Sequence, residues 1–516
     1  MKPPALNEQT LHQILSFVDS KSDCIFLETS KTNDENFCSY IFYDPVEILS
    51  FHKDQPLEEF FKQVQNCIDQ GLYLAGWVSY EFGYALEPVL QKHLGDLDNR
   101  PLLKLGVFKE PIIFDHRNAS FSKPFKHTLP CPDTPGSFSI NNVRPSMSME
   151  EYLKNLDVIK EYIEAGDTYQ VNYTMKLLFD FAGSPTALYK MLRFNQPVSY
   201  GAFLKLAGRT TLSFSPELFF TKTADTCLVR PMKGTIARGL TWAEDQKNIH
   251  TLQNDIKNRS ENIMIVDLLR NDLGRLSEKG SVSMSSMFDV ETYATLHQMT
   301  STVTGRLKPE INLTQIFKAF FPCGSVTGAP KIRTMEIIHE LEKLPRGIYT
   351  GGIGFIGPES VTFNVPIRTL VLNQGQSEMG IGSGIVHDSN NEDEWRECLL
   401  KAKFLTSPCP DFQLIETVLW TEAAGFYLLD RHLSRLKKSA EYFDFPFDGQ
   451  RITKTLSAHK ATKNINNKNP AKVRLLLHRD GTLEISSNPC APPDRLKFQD
   501  QPATDKKKLP KIRIST

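Results

Sequence analysis

Between residues 169 and 222 the chain lays down three extended apolar runs in succession, "YQVNYTMKLLF", "YGAFLKL" and "TLSFSPELFFTK". Their β-branched and aromatic content predicts strands, and strands need partner strands and a packed face. Helical patterns flank them. Ser148 followed by Glu151 reads as a capping box; Tyr152, Leu156, Ile159 and Ile163 follow at helical spacing, and Gly166 ends the pattern. A longer helix is predicted over 244–276, with Ile256, Ile263, Val266, Leu269 and Leu273 on one face. Further helices are predicted over 328–343 and 391–405, and strands over 351–386. With 516 residues, 40% of them apolar and 23% charged, the chain can build two to four average domains or one large α/β core.

Two breaks divide it. Residues 1–117 mix short apolar runs such as "CIFLE" and "LYLAGWVSYEFGY" with polar turns, and form an N-terminal region. Residues 118–147, rich in Pro, Ser and Asn without a sustained period, read as a linker before a catalytic region at 148–405. "TSPCPDF" (406–412) is the second break; a new strand–turn–strand–helix pattern runs over 412–516 into a Pro- and Lys-rich tail expected to lack order. Lysine plus arginine equals aspartate plus glutamate at 60 each, which disfavours a nucleic-acid surface. Nine scattered cysteines without a CxxC pair suggest reduced thiols, and no signal peptide or membrane span is apparent. A cytoplasmic protein is expected.

Several residues carry chemistry. Lys233, in "VRPMKGTIARG", stands beside Gly234 and Thr235, where an amine can bind phosphate, pair with a carboxylate, attack a carbon or simply be solvated. Gly352, Gly354 and Gly357 spell G-x-G-x-x-G, but Pro358 and a strand-like run follow instead of a helix, so a dinucleotide site is not expected. Cys323 has no identifiable histidine partner and reads as a structural thiol. Glu261 lies on the long helix one turn before the Asp267–Asp272 cluster. Glu394, Glu397 and Lys401 fall on one face of the last helix. Such carboxylates suit Mg²⁺; equally, they suit a solvated acidic helix with an internal salt bridge. Arg368 sits on an apolar strand where a substrate carboxylate would satisfy it, Tyr349 lies nearby in sequence, and Gly382, Ser383 and Gly384 are small enough to let backbone approach an anion. The sketch is a pocket for a small polyanionic acid.

Nine segments resemble, in order, the motifs of the chorismate-utilising enzymes: "YIEAGDTYQVNYT", "SFSPELFF", "RPMKGTIARG", "ENIMIVDLLRNDLGR", "HQMTSTVTG", "FPCGSVTGAPKIRTMEII", "GIYTGGIGFI", "NVPIRTL" and "GIGSGIVHDSNNEDEWRECLLKA". The pattern is most similar to the aminodeoxychorismate synthase branch, which acts in para-aminobenzoate and folate synthesis. The resemblance implies an α+β fold: two facing antiparallel β-sheets flanked by helices, plus a small C-terminal α/β segment. It implies Mg²⁺ on Glu261 and Glu397 with Glu394 beside them. Chorismate would contact Gly234, Thr235, Tyr349, Arg368, the Gly382, Ser383 and Gly384 backbone, and Lys401. His297 matches the family's active-site histidine and Glu217 its acid/base carboxylate.

Within the family, Lys233 discriminates. The anthranilate synthases carry alanine there. In the aminodeoxychorismate synthases the lysine attacks ring carbon 2 as the 4-hydroxyl leaves, and ammonia then adds at carbon 4 and expels it. Such an amine needs a pKa lowered from about 10.4 by desolvation or a nearby cation. Gln170 discriminates too, because isochorismate synthases carry a water-activating lysine at that position. No glutaminase nucleophile motif is present, so a separate glutamine amidotransferase partner is implied, with free ammonia as a poorer substitute. "IFLET" and "WVSYEFGYALEP" lie where relatives hold tryptophan, or are plain core strands. Residues 412–516 resemble the first half of a pyridoxal-phosphate lyase, with Arg435 matching the phosphate-gripping residue. The expected Schiff-base lysine is missing, Lys506 to Lys508 being poor candidates, and no lyase activity is expected. Anthranilate formation and a non-catalytic scaffold are the alternative functions.

Overall fold

The computed structural model describes residues 6–125, 136–373, 375–407, 410–462 and 470–490. Two compact units divide between Asp411 and Phe412. Among the described residues, the first holds an eleven-stranded and a ten-stranded sheet, and every pairing in both is antiparallel.

Alternation along the strands shows why their sequences look uniformly apolar. In the strand Cys24–Glu28, Cys24 and Phe26 join a core shared with helix residues such as Leu156 and Leu192. Ile25, between them, joins a second cluster with Phe42, Ala202 and Leu204 of its own sheet and with Ala75, Trp77, Ile353 and Phe355 of the other. Each inner strand is therefore covered on both faces, by the opposite sheet and by helices. The second sheet has its own helix-side core around Leu105, Val107, Phe220 and Phe317.

The N-terminal region is woven into both sheets. Cys24–Glu28 pairs with Tyr200–Leu206, and Tyr73–Val78 pairs with Gly352–Ile356. The latter strand contains the glycine run that mimics a dinucleotide motif. The 118–147 stretch is not a plain linker either. Ser120–Phe121 pairs with Ile112–Asp115, and Phe138–Pro145 pairs with Gln170–Gly183 across a bulge between Asn141 and Arg144. Polar side chains there are explained by an edge position, where most of Phe138–Pro145 is exposed.

The predicted helices form with different boundaries. Met149–Glu164 starts where Ser148 Oγ accepts from the Glu151 amide at 3.2 Å. The Glu151 carboxylate turns instead to Lys343, so only half of the capping box is made. Gly166, with φ 81°, follows the helix end. The long helix over 244–276 is two helices, Trp242–Asn254 and Ile256–Leu276. Asp255 separates them in extended conformation, its carboxylate accepting from the Asn258 amide and side-chain nitrogen, both at 2.8 Å. The break rotates the second helix: Ile256 and Ile263 are exposed, and Ile265, Val266, Leu269 and Leu273 are buried. Asp255→Ala is expected to cost about 1 kcal/mol in urea unfolding, the usual worth of an N-cap. An unchanged midpoint would show that the cap carries no stability. The predicted helix over 328–343 is Lys331–Leu341, because Gly328–Ala329 is instead a strand paired with Gln170 and Val171. The last helix of the unit is Asn391–Thr406.

The C-terminal unit has a four-stranded sheet, led by Leu414–Thr421 and Ala471–Leu477, which alternate buried and more exposed positions. Arg435, expected from the resemblance to grip a cofactor phosphate, is committed to Glu416 through bonds of 2.8 and 2.5 Å, and His432 joins the same carboxylate at 2.7 Å. The Lys506–Lys508 tail lies outside the described residues. Among the described residues, no helix is long and apolar enough to cross a membrane.

Candidate active site

Lys233 lies on the strand Met232–Ala237, which pairs with Leu296–Arg306. The register slips between Met232 and Thr235, so Lys233 and Gly234 form a bulge that re-aims the lysine. Gly234 has φ 93°, and a Cβ built there would lie 3.1 Å from Asn258 Oδ1. Conformation and space both require glycine. Asn262 Nδ2 donates to the Lys233 carbonyl at 3.3 Å and is itself fixed by Ser301.

The lysine's amine ends over Gly384. A Cβ at Gly384 would sit 2.8 Å from Nζ and 3.1 Å from both Asn172 Oδ1 and Gln170 Nε2. The missing side chain is thus the space into which the amine reaches. Gly380, four residues back on the strand Ser377–Ile385 and therefore on the same face, has the Tyr349 ring against it; its built Cβ would fall 2.1 Å from Tyr349 Cγ. A strip of three glycines, Gly380, Gly382 and Gly384, consequently runs from Tyr349 to Lys233, with the Thr174 methyl 2.7 Å from the position a Cβ of Gly382 would take. Gln170 is buried, and neither of its side-chain polar atoms has a hydrogen-bond partner among the described residues.

Burial lowers the Lys233 pKa, as does the Lys401 ammonium, while Glu261, Glu217 and Glu397 pull the other way. Glu217 is only 3% exposed. Burial pushes its carboxyl up to about 7, against hydrogen bonds from Ser325 (Oγ to Oε1, 2.6 Å) and the Met232 backbone and the field of Lys233. A buried acid that is half-protonated near neutrality and an amine with a lowered pKa are poised as a proton donor and a nucleophile.

Arg368 adopts φ 51°, and its Nη1 is buried with no hydrogen-bond partner among the described residues. Burial lowers its pKa, and its favourable coulombic neighbour is the Tyr293 phenol rather than a carboxylate. An unanswered guanidinium held in a strained backbone is prepared for an anion from outside the chain.

The other predicted residues divide. Lys401 Nζ donates to the Gly382 carbonyl at 2.7 Å and pairs with Glu397 at 2.7 Å. Thr235 is exposed at the end of the bulge, opposite Gln298. Ser383 does not join the glycine strip, since its hydroxyl meets Tyr152 at 3.2 Å on the other face. His297 is fully buried with both nitrogens engaged, Nε2 with Asp245 at 2.8 Å and Nδ1 with Thr292 at 2.9 Å. Asp245 in turn holds Arg238 through two bonds of 2.7 and 2.9 Å. In this arrangement His297 braces the Met232–Ala237 strand instead of presenting a free nitrogen.

Glu261 and Glu397 both act on the Lys233 ammonium, from separate helices. Glu394 is turned onto its own helix start, accepting from Ser389 Oγ at 2.9 Å. The three do not draw their oxygens into one tight group; among the described residues that geometry belongs to His93, Asp96 and His339. Glu261 and Glu397, each acting on the Lys233 amine, are ligands of the type Mg²⁺ takes, which binds one or two protein carboxylates and completes its shell with water and substrate. Cys323 is buried beside Ser325, its thiol pushed up to about 12 by burial, and is no nucleophile. Sequence reading passed over Asn172 and Ser325. The serine lies 108 residues from the carboxylate it serves, and no local pattern marks that pairing.

The first unit thus holds an amine with a lowered pKa, a buried acid with a raised one and a guanidinium nitrogen without a partner among the described residues. Residues 22–407 match the chorismate binding enzyme family, and the chain belongs to it. Residues 413–509 match the amino-transferase class IV family. The chain is 42% identical over 275 residues to the aminodeoxychorismate synthase of Streptomyces griseus, covering 53% of this chain and 38% of that protein. It is 34% identical over 356 residues to aminodeoxychorismate synthase component 1 of Bacillus subtilis (strain 168), covering 63% and 74%. The crystal structure of anthranilate synthase component I from Streptococcus pneumoniae TIGR4 superposes with a TM-score of 0.62 at 25% identity, covering 72% of this chain and 92% of that one. The chain thus spans well under half the length of the Streptomyces griseus relative.

Proposed function

We propose that the chain aminates chorismate to 4-amino-4-deoxychorismate, with ammonia delivered by a glutamine amidotransferase partner. The observation that carries this is the Lys233 amine, re-aimed by a bulge into the space left by Gly384. In the reaction proposed, Arg368 binds a substrate carboxylate and the glycine strip accepts the flat ring. Lys233, with its pKa lowered by burial, bonds to ring carbon 2 while both ring double bonds shift by one position, to C1=C6 and C4=C5, and the 4-hydroxyl departs. Glu217 gives that hydroxyl its proton, so it leaves as water. Ammonia bonds to carbon 4 and gives up a proton that restores Glu217, both double bonds shift back and Lys233 is released. Gln170 cannot act as a base toward water, which favours amination over hydration. Glu261 and Glu397 would hold Mg²⁺, which supplies positive charge for the ring carboxylate.

The test is product mass spectrometry with the purified chain, chorismate, Mg²⁺ and ammonium salt. 4-Amino-4-deoxychorismate is the expected product; anthranilate would instead place the chain with the other amination chemistry of the family. In the same assay Arg368→Gln is expected to raise the chorismate KM roughly 30-fold or more, since losing a buried charge partner costs at least about 2 kcal/mol. An unchanged KM would remove Arg368 from the binding site.

A further inference from the structure

Away from the active site, two segments distant in sequence meet at a group of metal-type side chains. His93 and Asp96 lie in the 3-10 helix Pro88–Asp96, and His339 lies in Lys331–Leu341. Their potential donor atoms all fall within 4.8 Å of one another. His339 Nε2 is 3.0 Å from Asp96 Oδ2, and the two imidazole centroids are 4.0 Å apart with their planes at 45°. His93 Nε2 is buried with no hydrogen-bond partner among the described residues, an orphan that a native fold does not leave without cause. The Tyr84 ring walls the group, with its centroid 5.8 Å from that of His93 and 5.6 Å from that of His339. Lys92, the nearby cation, is answered by Glu336 at 3.1 Å.

We infer that His93, Asp96 and His339 form a three-ligand site for a divalent transition cation of the Zn²⁺ class, with the fourth position open to water. Two imidazoles and a carboxylate are the donors such an ion takes, whereas Mg²⁺ and Ca²⁺ require oxygen ligands. Bonds of about 2.0–2.1 Å at tetrahedral angles set donors about 3.4 Å apart, within reach of small side-chain rotations here. The ion would staple the Pro88–Asp96 segment to the helix that follows Gly328–Ala329, the strand paired with Gln170. It would thereby stiffen one edge of the active-site sheet.

The full chain, stripped with chelator and held in excess Mg²⁺ to saturate all-oxygen sites, is titrated with Zn²⁺ and separately with Co²⁺. One Zn²⁺ per chain, a rise in Tm with added Zn²⁺ and the visible absorption of four-coordinate Co²⁺ are expected. Asp96→Asn is at an exposed carboxylate (68%) and leaves the fold intact; it and His339→Ala should each weaken Zn²⁺ binding at least about tenfold. Absence of stoichiometric binding, or binding that both substitutions leave unchanged, overturns the assignment and leaves an ordinary His–Asp ion pair.

Discussion

Lys233→Ala is expected to abolish formation of 4-amino-4-deoxychorismate, lowering the rate by at least about 10³-fold, the scale on which loss of a nucleophile acts. The substitution removes the amine and leaves its support standing. The bulge depends on Gly234 and the Asn258 and Asn262 contacts, none of which uses the lysine side chain. The variant should therefore fold, keep its Tm within a few degrees and still bind chorismate. Two measurements settle the matter together: product formation by mass spectrometry and chorismate binding by calorimetry. Full retention of amination by a folded Lys233→Ala variant would show that the amine is not the nucleophile. Loss of both binding and stability would show that it serves the fold.

Glu217→Gln is the second large effect. The acid is buried, its carboxyl sits at about 7, and Ser325 fixes one oxygen. As a proton donor it must be protonated, and because its folded pKa is raised above the ordinary 4.5 that form persists to about pH 7 and is lost above it. The kcat/KM for chorismate, followed at constant free ammonia, should fall as pH rises through about 7. Glutamine keeps the shape but carries no transferable proton, so the rate should drop about 10²- to 10⁴-fold and the alkaline limb should flatten. The same raised pKa has a stability consequence of the same sign. Below about pH 4.5 the group contributes its full stabilisation as the neutral acid, and that contribution is lost as pH rises through about 7. Glu217→Gln should accordingly be less pH-sensitive in its unfolding over that window. An unchanged pH–rate profile would take the proton-donor role from Glu217.

Much of the sheet was legible because both faces of the inner strands are buried, which leaves continuous apolar runs where a half-exposed strand would alternate. Which strand pairs with which was not. Cys24–Glu28 sits beside Tyr200–Leu206 across about 175 residues of chain, and such pairing follows from packing complementarity that no local pattern encodes. The helix break at Asp255 was present in the sequence as Asp255 three residues before Asn258, but the apolar spacing of Ile256 and Ile263 outweighed it. The structure shows the opposite weighting: a satisfied cap stopped one helix and started another, and both isoleucines face solvent. The site divides in the same way. Lys233, Glu217 and Arg368 occupy environments that suit the chemistry proposed for them, the last because its guanidinium finds no carboxylate among the described residues. Ser383, Glu394 and His297 bond to protein partners whose positions depend on tertiary folding.

The most direct measurement is peptide mass mapping of the chain quenched after mixing with chorismate and Mg²⁺ in the absence of ammonia. Without the second nucleophile the reaction should stop after the first step. The expected result is a mass gain equal to chorismate less one water on the peptide containing Lys233, absent from Lys233→Ala and discharged to 4-amino-4-deoxychorismate when ammonium is added. Amination that proceeds with no adduct on Lys233 under any quench, or with anthranilate as the product, would contradict it.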